Sequence, residues 1–344
     1  MTTAPGSSAR EQGRVLLLAL ALTVLAALGA AAYVWHLYQR PLPLREERIE
    51  ILVPAGASAR AIAQSLREQG VEVNVDLFVV AARLSEATQR LRAGRYEITR
   101  GMRLAEVIDR LRRGETLKEK LTIVEGWTFR EMRAALATQP LLRRDSEKMS
   151  DTQLLAAVGS TAPYPEGLFA PDTYVFDAGT SDLDILRQAH RAQQARLARA
   201  WEERATDLPL KSPYEALILA SIVEKETGQS AERARIAGVF VNRLRTGMLL
   251  QTDPTVIYGL GGKFDGNLRK RDLATDTPYN TYTRGGLPPT PIALPSQASI
   301  EAALKPEKTR ALYFVARGDG TSQFSESLDE HNRAVARFQL GGKR

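Results

Sequence analysis

The segment Ala216-Leu-Ile-Leu-Ala-Ser-Ile-Val-Glu-Lys-Glu-Thr-Gly228 decides how the chain reads. Pro213 suits a helical first turn, apolar residues recur at helical spacing, and Gly228 is a natural stop, so the segment predicts a helix. At about 100° per residue, Ile218, Leu219, Ile222 and Val223 share one face. Glu226 falls in the middle of that face, and Glu224 roughly opposite, beside Lys225 and nearer water. A carboxyl on an apolar face is costly unless it is paired, protonated or placed in a cleft. Desolvation raises its pKa, as a general acid requires. Glu226 is therefore the candidate catalytic group; a structural ion pair with Lys225 or an Arg of the next segment is the alternative.

Around this helix the chain has 344 residues, 44% hydrophobic and 25% charged, enough for two compact domains and an anchor. It has no cysteine, which excludes a disulfide scaffold and thiolate metal sites. His36, His190 and His331 are widely scattered, so neither a metal nor another cofactor is expected. The net charge of +7 favours anionic surfaces such as lipid head groups or acidic wall polymers. Without a basic block or a nucleic-acid-binding signature, nucleic acid is not an expected partner.

Residues 1–14 are small, polar and basic and read as a disordered cytoplasmic tail. Val15 to Gln39 contain no charged residue, and roughly 20 apolar residues cross a hydrocarbon core of about 30 Å. A transmembrane helix is expected over 15–38, with Tyr33, Trp35 and Tyr38 as an interfacial belt. The run is longer than the apolar region of a cleaved signal peptide, and aromatics stand where small cleavage-site residues would be. Arg10, Arg14 and the α-amino group favour an inside N-terminus with the bulk outside.

Beyond a short proline-bearing linker an internal repeat begins. Ile51-Leu-Val-Pro-Ala-Gly56, Tyr96-Glu-Ile-Thr-Arg-Gly101 and Leu121-Thr-Ile-Val-Glu-Gly126 each read as a strand ending in a glycine turn, followed by a helical pattern. Ile62, Val107 and Met132 stand six residues after their glycines; Leu66, Leu111 and Leu136 stand ten after. A further helix is expected near Asp76–Leu91. Such units resemble LysM-like modules, which bind aminosugar chains; a spacer domain without ligand fits the repeat equally.

Residues 140–165 read as irregular, Glu166–Tyr174 as a tight loop entering a strand, and about Ser181–Arg204 as a long structural helix. Ser230 is expected to cap a helix running to about Thr246. Gln251–Gly259, Tyr279–Tyr282 and the proline-dense Gly286–Ser296 read as loops mixing Tyr with neutral hydrogen-bonding side chains, as a sugar cleft uses. Leu312–Val315, the Gly318/Gly320 turn and Phe324 read as a hairpin, with a terminal helix from about Leu328.

The ordered series Ser221-Ile-Val-Glu-Lys-Glu-Thr227, Val241-Asn-Arg-Leu244, Leu250-Gln-Thr-Asp-Pro-Thr-Val-Ile-Tyr258, Tyr279-Asn-Thr-Tyr282 and Gly286-Leu-Pro-Pro289, with Glu166-Gly-Leu-Phe and Pro171-Asp-Thr upstream, resembles the endolytic murein transglycosylases (the MltG, or YceG-like, family) over essentially the whole chain. The resemblance implies an α+β fold: an N-terminal transmembrane helix, a LysM-like strand–helix domain over 46–120 and a mixed α/β catalytic domain with a lysozyme-like catalytic helix over 121–340. It further implies a bacterial inner-membrane protein, periplasmic in bulk, that cuts peptidoglycan glycan strands internally. Peptidoglycan synthases are its implied partners. Matching Ile-Val-Glu-Lys-Glu-Thr to the Glu-Ser motif of lysozyme-like transglycosylases puts the catalytic acid at Glu226, with Glu224 as second choice. Gln251, Tyr258, Asn280 and Tyr282 are expected to position the sugar, while Asp253 and Asn242 fit structural roles equally. Two rivals stay open: a lysozyme-type hydrolase in which Asp253, Asp272 or Asp276 assists a water, and a non-catalytic glycan-binding membrane scaffold.

Overall fold

The computed structural model describes residues 7–85, 87 and 91–341. The chain divides into two compact units, Met1–Glu119 with Phe176–Gly179, and Lys120–Val175 with Thr180–Arg344. The fold is α+β, with every sheet limited to two strands.

In the first unit, helix α1 (Ser7–Gln39) begins earlier than expected, inside the anticipated tail; residues 1–6 of that tail lie outside the described residues. Its Arg14–Gln39 portion, 26 residues, is long and apolar enough to cross a membrane, and none of its most apolar stretch is buried in the molecule. Strand β1 (Arg48–Val53) is followed by α2 (Ala59–Glu68) and α3 (Val75–Leu84). Of the helix expected over Asp76–Leu91, positions 86 and 88–90 lie outside the described residues. Strand β2 (Gly94–Thr99) pairs antiparallel with β1, Ile51 opposite Tyr96, and α4 (Leu104–Arg113) follows. Both strands bury alternate residues, so this ladder is lined on one face only.

The repeat is visible in the packing: Ile62, Val107 and Met132 at one offset, and Leu66, Leu111 and Leu136 at the other, are all buried. Gly56, Gly101 and Gly126 turn the chain at φ 72°, 91° and 77°, a region glycine enters without steric cost. The third copy has a different fate. Strand β3 (Lys118–Thr122) pairs with a later strand, and helix α5 (Phe129–Thr138) belongs to the second unit.

The stretch expected to be irregular holds α6 (Asp151–Val158), started by a Ser150/Gln153 capping box. Strand β4 (Thr173–Asp177) pairs with β3, and Ser181 caps the long α7 (Asp182–Glu202). Helix α8 (Pro213–Glu226) is the centre of the unit, packed by α7, α9 (Arg233–Thr246), α10 (Asp253–Leu260) and α12 (Gln297–Leu304). The chain between α8 and α9 is a short 3-10 turn, Ser230–Glu232, so Ser230 does not cap α9. Short α11 (Lys270–Ala274) precedes the loops before α12, and the hairpin β5 (Tyr313–Ala316)–β6 (Ser322–Ser325) and α13 (Leu328–Val335) close the unit.

Candidate active site

Helix α8 starts on Ser212, whose hydroxyl accepts from the Glu215 N–H at 3.2 Å, with Pro213 in the first turn. Ala216 to Val223 are buried without interruption. The helix therefore has no solvent face in its middle, and the expected contrast between a buried Glu226 and a watery Glu224 is corrected. The Glu224 side chain is 7% exposed, with Arg233 at 3.9 Å. It accepts from the Ser296 N–H at 2.9 Å and the Ser296 hydroxyl at 2.5 Å, bracing the start of α12.

Glu226, one turn-end further on, opens into a cleft of about 690 Å³ within the second unit. Its walls include Phe240 and Arg243 of α9, Gln251, Asp253, Tyr282, Tyr313 of β5 and His331 of α13. Glu226 Oε1 accepts a short hydrogen bond from the Thr252 hydroxyl. Burial raises the Glu226 pKa; the Thr252 hydrogen bond opposes this, the Asp253 charge adds to it, and the Arg243 cation opposes it.

Thr252 is placed by a small buried network. Its N–H donates to Thr281 Oγ1 at 3.1 Å, Thr281 and Thr255 hydroxyls lie 2.9 Å apart, and Thr255 donates back to the Thr252 carbonyl at 2.8 Å. The preceding Gln251 has φ 47°, the one left-handed non-glycine among the described residues. Arg243, 8% exposed, holds the same loop by donating to the carbonyls of Leu249 (3.3 Å), Leu250 (2.7 Å) and Leu312 (2.7 Å). Its guanidinium also lies 5.2 Å from the Tyr313 ring centre, and Tyr313 stacks on His331 at 5.2 Å. The Tyr282 hydroxyl donates to Asp253 at 2.5 Å, fixing both against the same wall.

Of the expected substrate-positioning residues, Gln251 and Tyr282 are brought to Glu226. Asn280 is not: it is fully buried, donating to the carbonyls of Asp272 (3.3 Å), Leu273 (3.0 Å) and Thr275 (2.7 Å) and accepting from the Tyr282 N–H (2.9 Å). Its amide shapes the loop that carries Tyr282. Nor is Tyr258, whose hydroxyl donates to Glu166 at 3.0 Å in a separate cavity. Helix α10, read in sequence as a loop, is the reason, since it carries Tyr258 away from Asp253. Asn242 is structural, donating to the carbonyls of Thr309 (2.8 Å) and Ala311 (3.1 Å).

Among the alternative carboxylates, Asp272 caps α11 by accepting from the Arg269 N–H at 2.8 Å, and Asp276 is paired with Arg284 at 2.8 Å, which holds it at about 2. Asp253 alone of the three lines the cleft. Thr252, Arg243, Tyr313 and His331 were not anticipated. Thr252 and Arg243 lie inside quoted motifs, but nothing local marks them as neighbours of Glu226. Among the described residues no cluster of three His, Asp or Glu that could hold a metal is found.

A model of the YceG-like family matches residues 51–337. The endolytic murein transglycosylase of Bacillus subtilis (strain 168) is 34% identical over 307 residues, covering 84% of this chain and 84% of that protein. The endolytic murein transglycosylase of Streptococcus pneumoniae serotype 2 (strain D39 / NCTC 7466) is 27% identical, covering 92% of this chain and 64% of that protein. Among solved structures, a yceG-like protein from Listeria monocytogenes superposes with a TM-score of 0.53 at 33% identity, covering 83% of this chain and 98% of that one.

Proposed function

We propose that the chain, which belongs to the YceG-like family, is a membrane-anchored lytic transglycosylase that cuts the MurNAc–GlcNAc bond within peptidoglycan strands, with Glu226 as its one acid and base. One observation carries this reading: a carboxyl kept largely from water at the mouth of a cleft, held by a neutral hydroxyl rather than by a cation. Such a group keeps a proton closer to neutral pH than an exposed glutamate does.

Protonated Glu226 donates to the glycosidic oxygen while an oxocarbenium-like centre develops at MurNAc C1. The resulting carboxylate takes the proton of the MurNAc C6 hydroxyl. That oxygen bonds to C1 and closes a 1,6-anhydro ring, so no water is consumed and Glu226 ends as it began. Intramolecular attack removes a bimolecular entropy cost of up to ~7–11 kcal/mol in well-oriented cases, so a second carboxylate is not required. Thr252 holds the carboxyl, and the proposed sugar-orienting residues are Gln251 and Tyr282, which line the same cleft.

Helix α1 is the proposed single-pass anchor in the bacterial inner membrane, with the bulk periplasmic, and the β1–α2 and β2–α4 repeat the proposed LysM-like portion. An enzyme tethered beside the membrane would trim nascent strands next to peptidoglycan synthases.

Asp253 supports a second reading, since it shares the cleft with Glu226 and would serve a hydrolase by assisting a water. Mass analysis of products from purified glycan strands separates the two. Anhydro-muropeptides are expected; reducing ends alone would overturn the transglycosylase in favour of the hydrolase.

A further inference from the structure

A second cavity, about 450 Å³, lies in the same unit and is lined by Tyr164, Glu166, Tyr258, Tyr279, Arg130 and Thr290 among others. Glu166 is 6% exposed, and both its oxygens are engaged: the Phe129 N–H donates at 2.9 Å and the Tyr258 hydroxyl at 3.0 Å. Tyr258 and Tyr279 meet edge to face at 4.9 Å, and the Tyr279 and Thr290 hydroxyls lie 2.9 Å apart. The inner wall is thus a fixed rim of hydroxyls around one carboxyl. Tyr164 stands at the outer edge, 54% exposed, the only exposed aromatic among the described residues outside α1. Pro163 and Pro165 flank it, restricting the backbone on both sides, so little ordering remains to be done when a ligand covers the ring.

We propose that this cavity is a second carbohydrate site, in which Tyr164 stacks on a pyranose ring of the strand while the Glu166–Tyr258–Tyr279 rim faces its hydroxyls, away from the bond that is cut. The chemistry selects a neutral hydroxylated ring. Of the charged side chains in the lining, Arg130 shares the wall with the carboxyls of Asp151 and Glu166 as counter-charges, and Arg133 is turned away toward the carbonyls of Ser146 (2.9 Å) and Met149 (3.2 Å), which leaves the hydroxyl rim as the part that selects the ligand. A wholly apolar ligand would strand Glu166 further from water. The same helix serves both sites: α10 begins with Asp253 in the catalytic cleft and carries Tyr258, five residues on, in this cavity. At ~1.5 Å and about 100° per residue that is roughly 7–8 Å along its axis and about 140° around it, so the two sites sit on different sides of one helix.

The proposal rests on the transglycosylase reading, and its test is built to fail separately. Full-length wild type and Tyr164→Ala are compared on long uncrosslinked glycan strands and on the shortest fragment the wild type cleaves. The ratio of kcat/KM for long over short substrate is expected to fall about tenfold in Tyr164→Ala, the loss of one stacking contact. Because the ratio is internal to each protein, a partly misfolded variant does not distort it. An unchanged ratio, with long and short affected equally or not at all, overturns the second site and leaves the catalytic reading intact. Retained cleavage in Glu226→Gln would instead sink the catalytic reading, whatever Tyr164→Ala does.

Discussion

The cleft at Glu226 and the cavity at Glu166 are built from the same materials: a buried carboxyl, a hydroxyl donor and tyrosine walls. They differ in how the carboxyl is held. Glu166 is gripped on both oxygens, one by a backbone N–H and one by Tyr258. Among the described residues, Glu226 is gripped on Oε1, by Thr252, within a cleft that also holds Asp253 and Arg243. A carboxyl tied at both ends fixes a wall, whereas one tied at a single oxygen keeps the other for a ligand. Burial raises both pKa values, so burial by itself does not tell the proposed proton-moving acid from the fixed carboxyl.

The largest effect should come from breaking this asymmetry at the proposed catalytic end. Glu226→Gln keeps shape and removes the transferable proton, and cleavage of purified glycan should fall by about 10²–10⁴-fold, the usual worth of a general acid–base group. Glu224→Gln, two residues away, should keep most activity, because a Gln carbonyl still accepts from Ser296. Its cost should appear in stability instead, about 1–3 kcal/mol by urea denaturation, from weakening a buried charge-assisted contact. Activity lost in the Glu224 variant and kept in the Glu226 variant would reassign the acid.

At the other end, pH separates the two sites without any substrate. Burial pushes Glu166 up to about 7 from an ordinary 4.5, against the hydrogen bonds from Phe129 and Tyr258. A carboxyl whose folded pKa is raised binds its proton more tightly in the folded state. Its stabilising contribution is therefore full below about 4.5 and is lost as pH rises through about 7. At about 1.36 kcal/mol per pH unit, wild type should lose about 3 kcal/mol relative to Glu166→Gln between pH 4.5 and 8. Denaturation of both proteins at the two pH values gives the difference directly; parallel losses would mean that Glu166 stays ionised in the fold.

Much of the scaffold was legible because periodicity is a local signal. The α8 pattern, the matched apolar offsets of the repeat, α7 and the terminal hairpin all follow from spacing that the chain itself displays. Helix α10 was hidden by the Asp-Pro at its start, which reads as a turn although proline is at home in a first helical turn. Glu224 is not on a wet face because α8 is not half-exposed: α12 covers the side that would face water. Glu166 stands in a quoted motif, yet its burial is not legible there for a similar reason. Its burial depends on Phe129, Tyr258 and their elements, brought together across the chain.

The finest distinction between the sites is the single hydroxyl that holds Glu226, and two substitutions should move it in opposite directions. Thr252 donates to Glu226 and so favours the carboxylate; Thr252→Val removes that bond and should raise the Glu226 pKa further. The protonated acid then survives to higher pH, and the descending alkaline limb of the kcat profile should shift upward, with kcat itself lowered about tenfold as the carboxyl loses its anchor. Thr252→Ser retains the donor and should restore both. Asp253→Asn removes the charge that raises the Glu226 pKa, so its alkaline limb should shift to lower pH. If both limbs stay in place while rates change, Thr252 and Asp253 act only through the loop they shape, and the proton that limits the reaction is not held at Glu226.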